Sequence, residues 1–323
     1  MNTINRIRNR LNGLLAAGAA ALLLAACDKK ELCYEHPHNA LMQVEFDWTS
    51  APEADPSTMS LYLFPDDGAE PMRYEFTSRT GGTISVPYGT YDAVCLNSDQ
   101  ETHRLQGRER RETFEVTTHS TRTLQGVLRS KSDTAPLARG AEEERSVQEP
   151  DSLWTTHAER ITVLPDAEGQ RLVMAPKSRV ITCTVEVRNV QNLSQTQAIS
   201  ASVTGMAGGW MPGIDRLTDE KVTIPFEMQA NADKTVLTAR LSLFGHCPNA
   251  KGRHKVMIYA QMSDGNTYFY EEDVTDQLHD PKQEPNHIKI VLDKLPLPKP
   301  DTGGGLQPSV KDWNEVRIDL PMN

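Results

Sequence analysis

Behind an apolar opening run, hydrophobic and polar residues alternate with period two along most of this chain. Val44, Phe46 and Trp48 alternate with Gln43, Glu45 and Asp47. Successive strand side chains point to opposite faces, so this pattern predicts a half-buried β-strand. Similar runs predict strands at 59–64, 73–77, 83–86, 90–97, 113–117 and 122–128. In the second half they fall at 171–174, 178–190, 198–204, 221–228, 234–244, 254–262, 267–274 and 287–293. Three apolar faces stand out there: Val222, Ile224, Phe226 and Met228; Leu237, Ala239, Leu241 and Leu243; Val256, Ile258, Ala260 and Met262.

Turn chemistry separates these runs. Pro65-Asp66-Asp67-Gly68 and Gly81-Gly82 read as turns, and Ser263-Asp264-Gly265-Asn266 reads as a hairpin turn. Only residues 275–279 predict a short helical turn. The polar stretch 130–150, with Glu142, Glu143 and Glu144, predicts a long loop or a crossing between domains. Prolines at 296, 298 and 300 force an extended exit, and a last strand follows the glycines at 303–305, with Val316, Ile318 and Leu320 inward. Many short strands with close turn signals define an all-β fold class of two antiparallel sandwiches, at 40–165 and 166–323.

The opening run has a separate meaning. Arg6, Arg8 and Arg10 precede an apolar stretch from Leu11 to Ala26, which ends at Cys27. Leu24-Ala25-Ala26-Cys27 fits a bacterial lipobox, so 1–26 reads as a lipoprotein signal peptide cut between Ala26 and Cys27. Cys27 then carries the lipid, and 27–39 forms a tether. Removing 26 of 323 residues leaves 297, enough for two domains. Losing three arginines takes the formal net charge from −10 to about −13. That balance excludes a nucleic-acid partner, which needs a basic stripe, and leaves membrane attachment to the acyl chains.

Four cysteines remain: Cys33, Cys95, Cys183 and Cys247. An exported chain permits disulfides, with Cys33–Cys95 and Cys183–Cys247 as the simplest pairing among three connectivities. Equally, all four suit small apolar core positions, and Cys183 shares a strand face with Ile181, Val185 and Val187.

Candidate chemistry is sparse. The chain lacks a nucleophile elbow, an HExxH motif, a P-loop and a GxGxxG fingerprint. His36-Pro37-His38, with Glu35 and Cys33, is the nearest approach to a metal motif. It sits in the tether without further ligands, so no metal and no cofactor is assigned. Asp66 and Asp67 belong to a turn; Glu271 and Glu272 are strand neighbours that face apart. Glycines around Trp210 lack a following helix to hold phosphate. Tyr268 and Tyr270 share a face and offer either core packing or a sugar platform.

The tether Leu32-Cys33-Tyr34-Glu35-His36-Pro37-His38 behind a lipobox resembles the start of lipoproteins in the fimbrillin-like superfamily of Bacteroidales. Residues 187–193, 199–206, Phe244-Gly245, Asp264-Gly265, 273–277 and Val310-Lys311-Asp312-Trp313 extend the resemblance. It implies two tandem transthyretin-like, Greek-key β-sandwiches in an outer-membrane lipoprotein, a pilus anchor or accessory subunit acting through β-strand pairing. No catalytic residue is implied, and the protein is read as a non-enzyme. In polymerising members a protease cuts after basic residues near the first strand. Here 31–72 contain neither Arg nor Lys, which favours a retained first strand over a shaft subunit. The expected partners are fimbrial or other surface subunits, with the segment 306–320 as the strand most suited to exchange or to locking an edge. The alternative is a glycan-binding surface lipoprotein of a nutrient-uptake system.

Overall fold

A computed structural model describes residues 39–122, 135–165, 169–247 and 253–300, and the backbone of 313–315. The signal peptide, Ala26, Cys27, Cys33, the tether histidines and the inward residues of the last strand lie outside the described residues. So does most of the strand expected at 122–128. The described chain is almost wholly β, as the period-two pattern requires.

The first core lies between two sheets. Strand Asn39–Phe46 pairs antiparallel with Gly81–Pro87 and parallel with Gln170–Met174. Met42, Val44, Phe46 and Trp48 point inward, as their alternation predicted, and Leu172 and Met174 join them. Facing them is a five-stranded sheet ordered Lys177–Ser178, Trp154–Val163, Gly89–Asn97, Met59–Pro65, Met72–Phe76. The run from Met59 to Phe64 is buried on both faces, which explains why it is apolar but for Ser60, whose hydroxyl donates to Glu75 at 2.7 Å. Leu61 and Leu63 enter the first core. Tyr62 and Phe64 pack on the other side with Phe114, Leu153 and Phe244, and Phe114 meets Tyr62 edge-on at 4.9 Å.

The second core lies between a four-stranded and a six-stranded sheet. The smaller is ordered Gln229–Ala230, Leu237–Leu243, Ile181–Arg188, His287–Asp293. In the larger, Thr196–Ala207 pairs antiparallel with both Lys221–Glu227 and Lys255–Met262. All three apolar faces expected in this half are buried in this core. The predicted hairpin turn joins Lys255–Met262 to Thr267–Asp273, with Gly265 at φ +81°, and a helix forms at Thr275–Leu278.

Two features depart from the sequence reading. Pairing is mixed: Ile181–Arg188 runs parallel to His287–Asp293, and the short strand Trp313–Glu315 adds in parallel to Thr267–Asp273. The polar stretch 130–150 is not simply a solvated loop where it is described. Ala138 and Ala141 are buried beneath Met257 and Tyr259, and Val147 enters the second core. Strand Arg145–Ser146 meanwhile extends the six-stranded sheet beside Val222 and Thr223. The cysteines follow the buried-core alternative rather than the disulfide one. Cys95, Cys183 and Cys247 are free, buried thiols. The expected Cys183–Cys247 bridge is not made: Cys183 faces the second core, whereas the Cys247 thiol donates to the Asp219 carbonyl at 3.4 Å. The other expected partner, Cys33, lies outside the described residues. Burial pushes the Cys95 thiol far up and Cys183 to about 12, so neither is a ready nucleophile.

Candidate functional site

A bulge organises the most unusual cluster of side chains. Strand Thr196–Ala207 slips register against Lys221–Glu227 between Val203 and Met206, leaving Thr204 and Gly205 out of the ladder. An extra residue frees backbone groups and re-aims its neighbours. Here the freed groups find new partners. Gly205 N–H donates to Glu144 Oε2 at 2.9 Å, and its carbonyl accepts Cys247 N–H at 3.1 Å. Thr204 Oγ1 accepts Lys255 N–H at 3.0 Å. The Thr204 carbonyl lies 3.2 Å from His254 Nδ1. A carbonyl only accepts, so this contact fixes the proton on Nδ1 and makes Nε2 an acceptor.

His254 is fully buried at the entrance to strand Lys255–Met262. Its N–H donates to Thr275 Oγ1 at 2.8 Å, and its carbonyl accepts Val274 N–H at 2.8 Å. Those bonds tie it to the short helix, at whose C-terminal end stands exposed His279. With the His254 proton on Nδ1, His279 Nε2–H donates to His254 Nε2 at 3.2 Å. His246 arrives from a third direction, through an antiparallel bridge to Met206. Ala207 N–H, bonded to the Gly245 carbonyl at 2.9 Å, and the Cys247–Gly205 bond hold it from both sides.

The rings of His246 and His279 are 4.7 Å apart, and those of His254 and His279 5.0 Å. One nitrogen from each of the three histidines falls within 4.8 Å of the other two. His246 Nδ1 is buried without a well-aligned hydrogen bond, the Cys247 backbone alone lying near the ring. Burial, with the neighbouring imidazoles adding, holds His254 down at about 4 and lowers His246 below the usual histidine value. Both rings are therefore neutral near pH 7.

Candidates from the sequence fall elsewhere. Asp67 serves its turn, accepting Ala69 N–H at 3.0 Å. Glu271 pairs with Lys255 at 2.7 Å, while Glu144 of the acidic run accepts both Gly205 N–H and, at 2.9 Å, the Thr223 hydroxyl. Tyr270 is buried with its hydroxyl on the Pro296 carbonyl at 3.2 Å, and Tyr268 packs against the second core, so the sugar platform is not formed. Trp210 lies half-buried on a short strand, with the Arg179 guanidinium 4.9 Å above its ring. Sequence reading missed the three histidines because their spacings, eight and twenty-five residues, match no ligand motif.

Together these sheets define an all-β, multi-sheet sandwich protein. The fold resembles that of "a putative adhesin from Bacteroides ovatus ATCC 8483", with a TM-score of 0.64 and 20% identity. That match covers 86% of this chain and 99% of the other. A second B. ovatus structure carrying the same description matches at TM-score 0.50 and 10% identity, over 83% of this chain and 91% of that one. The chain belongs to the family described as "Domain of unknown function (DUF5119)", whose model matches residues 26–227. It is also similar to the "Putative fimbrium anchoring subunit Fim4B" of Bacteroides ovatus, at 24% identity over 98% of this chain and all of that protein. The fimbrial relationship suggested by the tether and strand motifs is met by this relative.

Proposed function

We propose that this protein is a fimbrial anchor or accessory subunit, a non-enzymatic adhesion component held in the outer membrane by lipid on Cys27. The observation that carries this reading is the end-to-end similarity to a protein named as a fimbrium-anchoring subunit. Such a role needs attachment at one end and a protein-binding surface at the other. The lipobox ending in Ala26-Cys27 supplies the first, through insertion of acyl chains at about 0.8 kcal/mol per buried methylene. For the second, sheet edges that accept an added strand provide affinity through backbone bonds and selectivity through alternate side chains. Strand Trp313–Glu315, added in parallel beside Thr267–Phe269, supports that mode of pairing in this chain.

The first strand bears on which subunit this is. Asn39–Phe46 is paired on both sides and fills the first core. With no Arg or Lys from 31 to 72, the tether and that strand stay joined, as an anchor requires. Two sandwiches divide the chain in this reading. Because strand Gln170–Met174 pairs with Asn39–Phe46, we place the change-over after Met174 rather than at 165.

Fractionation of cells expressing Cys27→Ala tests the reading. The variant moves from the membrane to the soluble fraction as an intact chain, and fimbriae are shed into the medium. A variant that stays with the membrane, or fimbriae that remain cell-bound, would overturn it.

A further inference from the structure

The three imidazoles that meet beside the Thr204–Gly205 bulge have no part in anchoring or strand pairing. We propose that His246, His254 and His279 form a binding site for a divalent transition-metal ion, Zn²⁺ foremost, with a fourth position open to water.

Four observations carry this. First, the distances are close to what an ion needs. With Zn–N bonds of about 2.0–2.1 Å, two ligands of a tetrahedral ion stand about 3.3 Å apart. His254 Nε2 and His279 Nε2, hydrogen-bonded at 3.2 Å, already have that spacing, and an ion would replace their shared proton. One nitrogen of each of the three rings lies within 4.8 Å of the other two, so a small rotation of His246 completes the set. Second, the deepest ligand is oriented. His254 Nδ1 donates to the Thr204 carbonyl at 3.2 Å, the outer contact that fixes a metal-binding histidine's tautomer and aims Nε2 at the ion. Gly205 makes room for that ring, because a Cβ there would lie 2.6 Å from Nδ1. Third, His246 Nδ1 is buried with no well-aligned hydrogen bond, and only the adjoining Cys247 backbone lies near enough to interact with the ring. A buried polar atom so weakly served is costly, and ring rotation onto an ion removes that cost. Fourth, the cluster is reachable, since exposed His279 forms its outer wall while His254 forms its floor.

The chemistry of the donors selects the ion. Three imidazole nitrogens suit Zn²⁺, Cu²⁺ or Ni²⁺, whereas Ca²⁺ and Mg²⁺ demand oxygen ligands. Bound metal would tie together the bridge after strand Leu237–Leu243, the start of Lys255–Met262 and the end of the short helix. Its effect is therefore expected in stability as well as in occupancy.

The test uses the full chain, purified without a histidine tag and stripped with EDTA. Zn²⁺ titrated by calorimetry is expected to bind at one ion per chain. At a hundred-fold excess over Kd it raises the unfolding midpoint by about 5 °C, and Ca²⁺ does not. Co²⁺ gives the visible absorption of a four-coordinate site with three nitrogens and water. His279→Ala, at an exposed position, is expected to fold normally and to weaken Zn²⁺ binding at least ten-fold. His246→Ala does the same and covers the case in which a variant at buried His254 fails to fold. The tether pair His36 and His38 is the control: His36→Ala with His38→Ala leaves binding unchanged. An absence of stoichiometric Zn²⁺ binding would overturn the proposal. So would binding indifferent to His279→Ala and His246→Ala, or binding lost only with the tether histidines.

Discussion

Gly205 lies against the ring of His254, so closely that a Cβ at 205 would stand 2.6 Å from His254 Nδ1. Gly205 also holds φ +73°, a conformation other residues rarely adopt. Sterics and backbone thus demand glycine at the same point. Gly205→Ala is expected to destabilise the protein by about 2–4 kcal/mol, combining left-handed strain with overpacking. Urea unfolding measures this, and a loss below about 0.5 kcal/mol, the scale of an ordinary surface substitution, would show that the bulge yields freely.

Glu144 braces the same bulge from the polar stretch. Its Oε2 accepts Gly205 N–H and the Thr223 hydroxyl, both at 2.9 Å. Glu144→Ala leaves two donors unpaired in a half-buried place and is expected to cost about 2 kcal/mol. Glu143→Ala, one residue away and exposed, should change stability by less than about 0.5 kcal/mol. Equal effects from the two variants would refute the bracing role.

Glu149 provides a pH dependence of known sign. Burial raises its carboxyl above the usual carboxylate value of 4.5, against the lowering effect of Ser242 N–H, which it accepts at 2.9 Å. A group that binds its proton more tightly when folded favours the fold most at pH below its unfolded value. That contribution is lost as pH rises through the folded value. Glu149→Gln keeps an acceptor for Ser242 without the charge. It is therefore expected to raise the urea midpoint at pH 7 and to leave it nearly unchanged at pH 4. A variant less stable than the parent at pH 7 would contradict this.

The short strand Trp313–Glu315 covers a sheet edge. Trp313–Glu315 pairs with Thr267–Phe269, while the second core is built from residues between 147 and 297. Deleting 303–323 is expected to preserve the β-sheet circular dichroism and to cost about 1–2 kcal/mol, the worth of one or two backbone bonds. The bared edge should then bind a synthetic peptide of residues 306–320. Unfolding of the truncated chain would contradict the first expectation, and failure to bind peptide the second.

How far the sequence reached can be judged from particular residues. The inward faces of Val222 to Met228, Leu237 to Leu243 and Val256 to Met262 were all legible, as were the hairpin at Gly265 and the helical turn at 275. Each depends on neighbours within a few positions, and strand alternation reveals which face is buried. Alternation does not reveal what the face is buried against. The parallel pairing of Ile181–Arg188 with His287–Asp293, across about a hundred residues, follows from how the sheets close and leaves no local mark. Nor did composition show that the polar stretch would place Ala138, Ala141 and Val147 under or into the second core. The histidines are the clearest case. By itself the sequence determined an all-β chain, its buried faces and its acidic character, because these are properties of local period and content. Only the tertiary structure decided that His246, His254 and His279 meet, because a one-residue bulge at Thr204–Gly205 and three separate backbone ties bring them to one place.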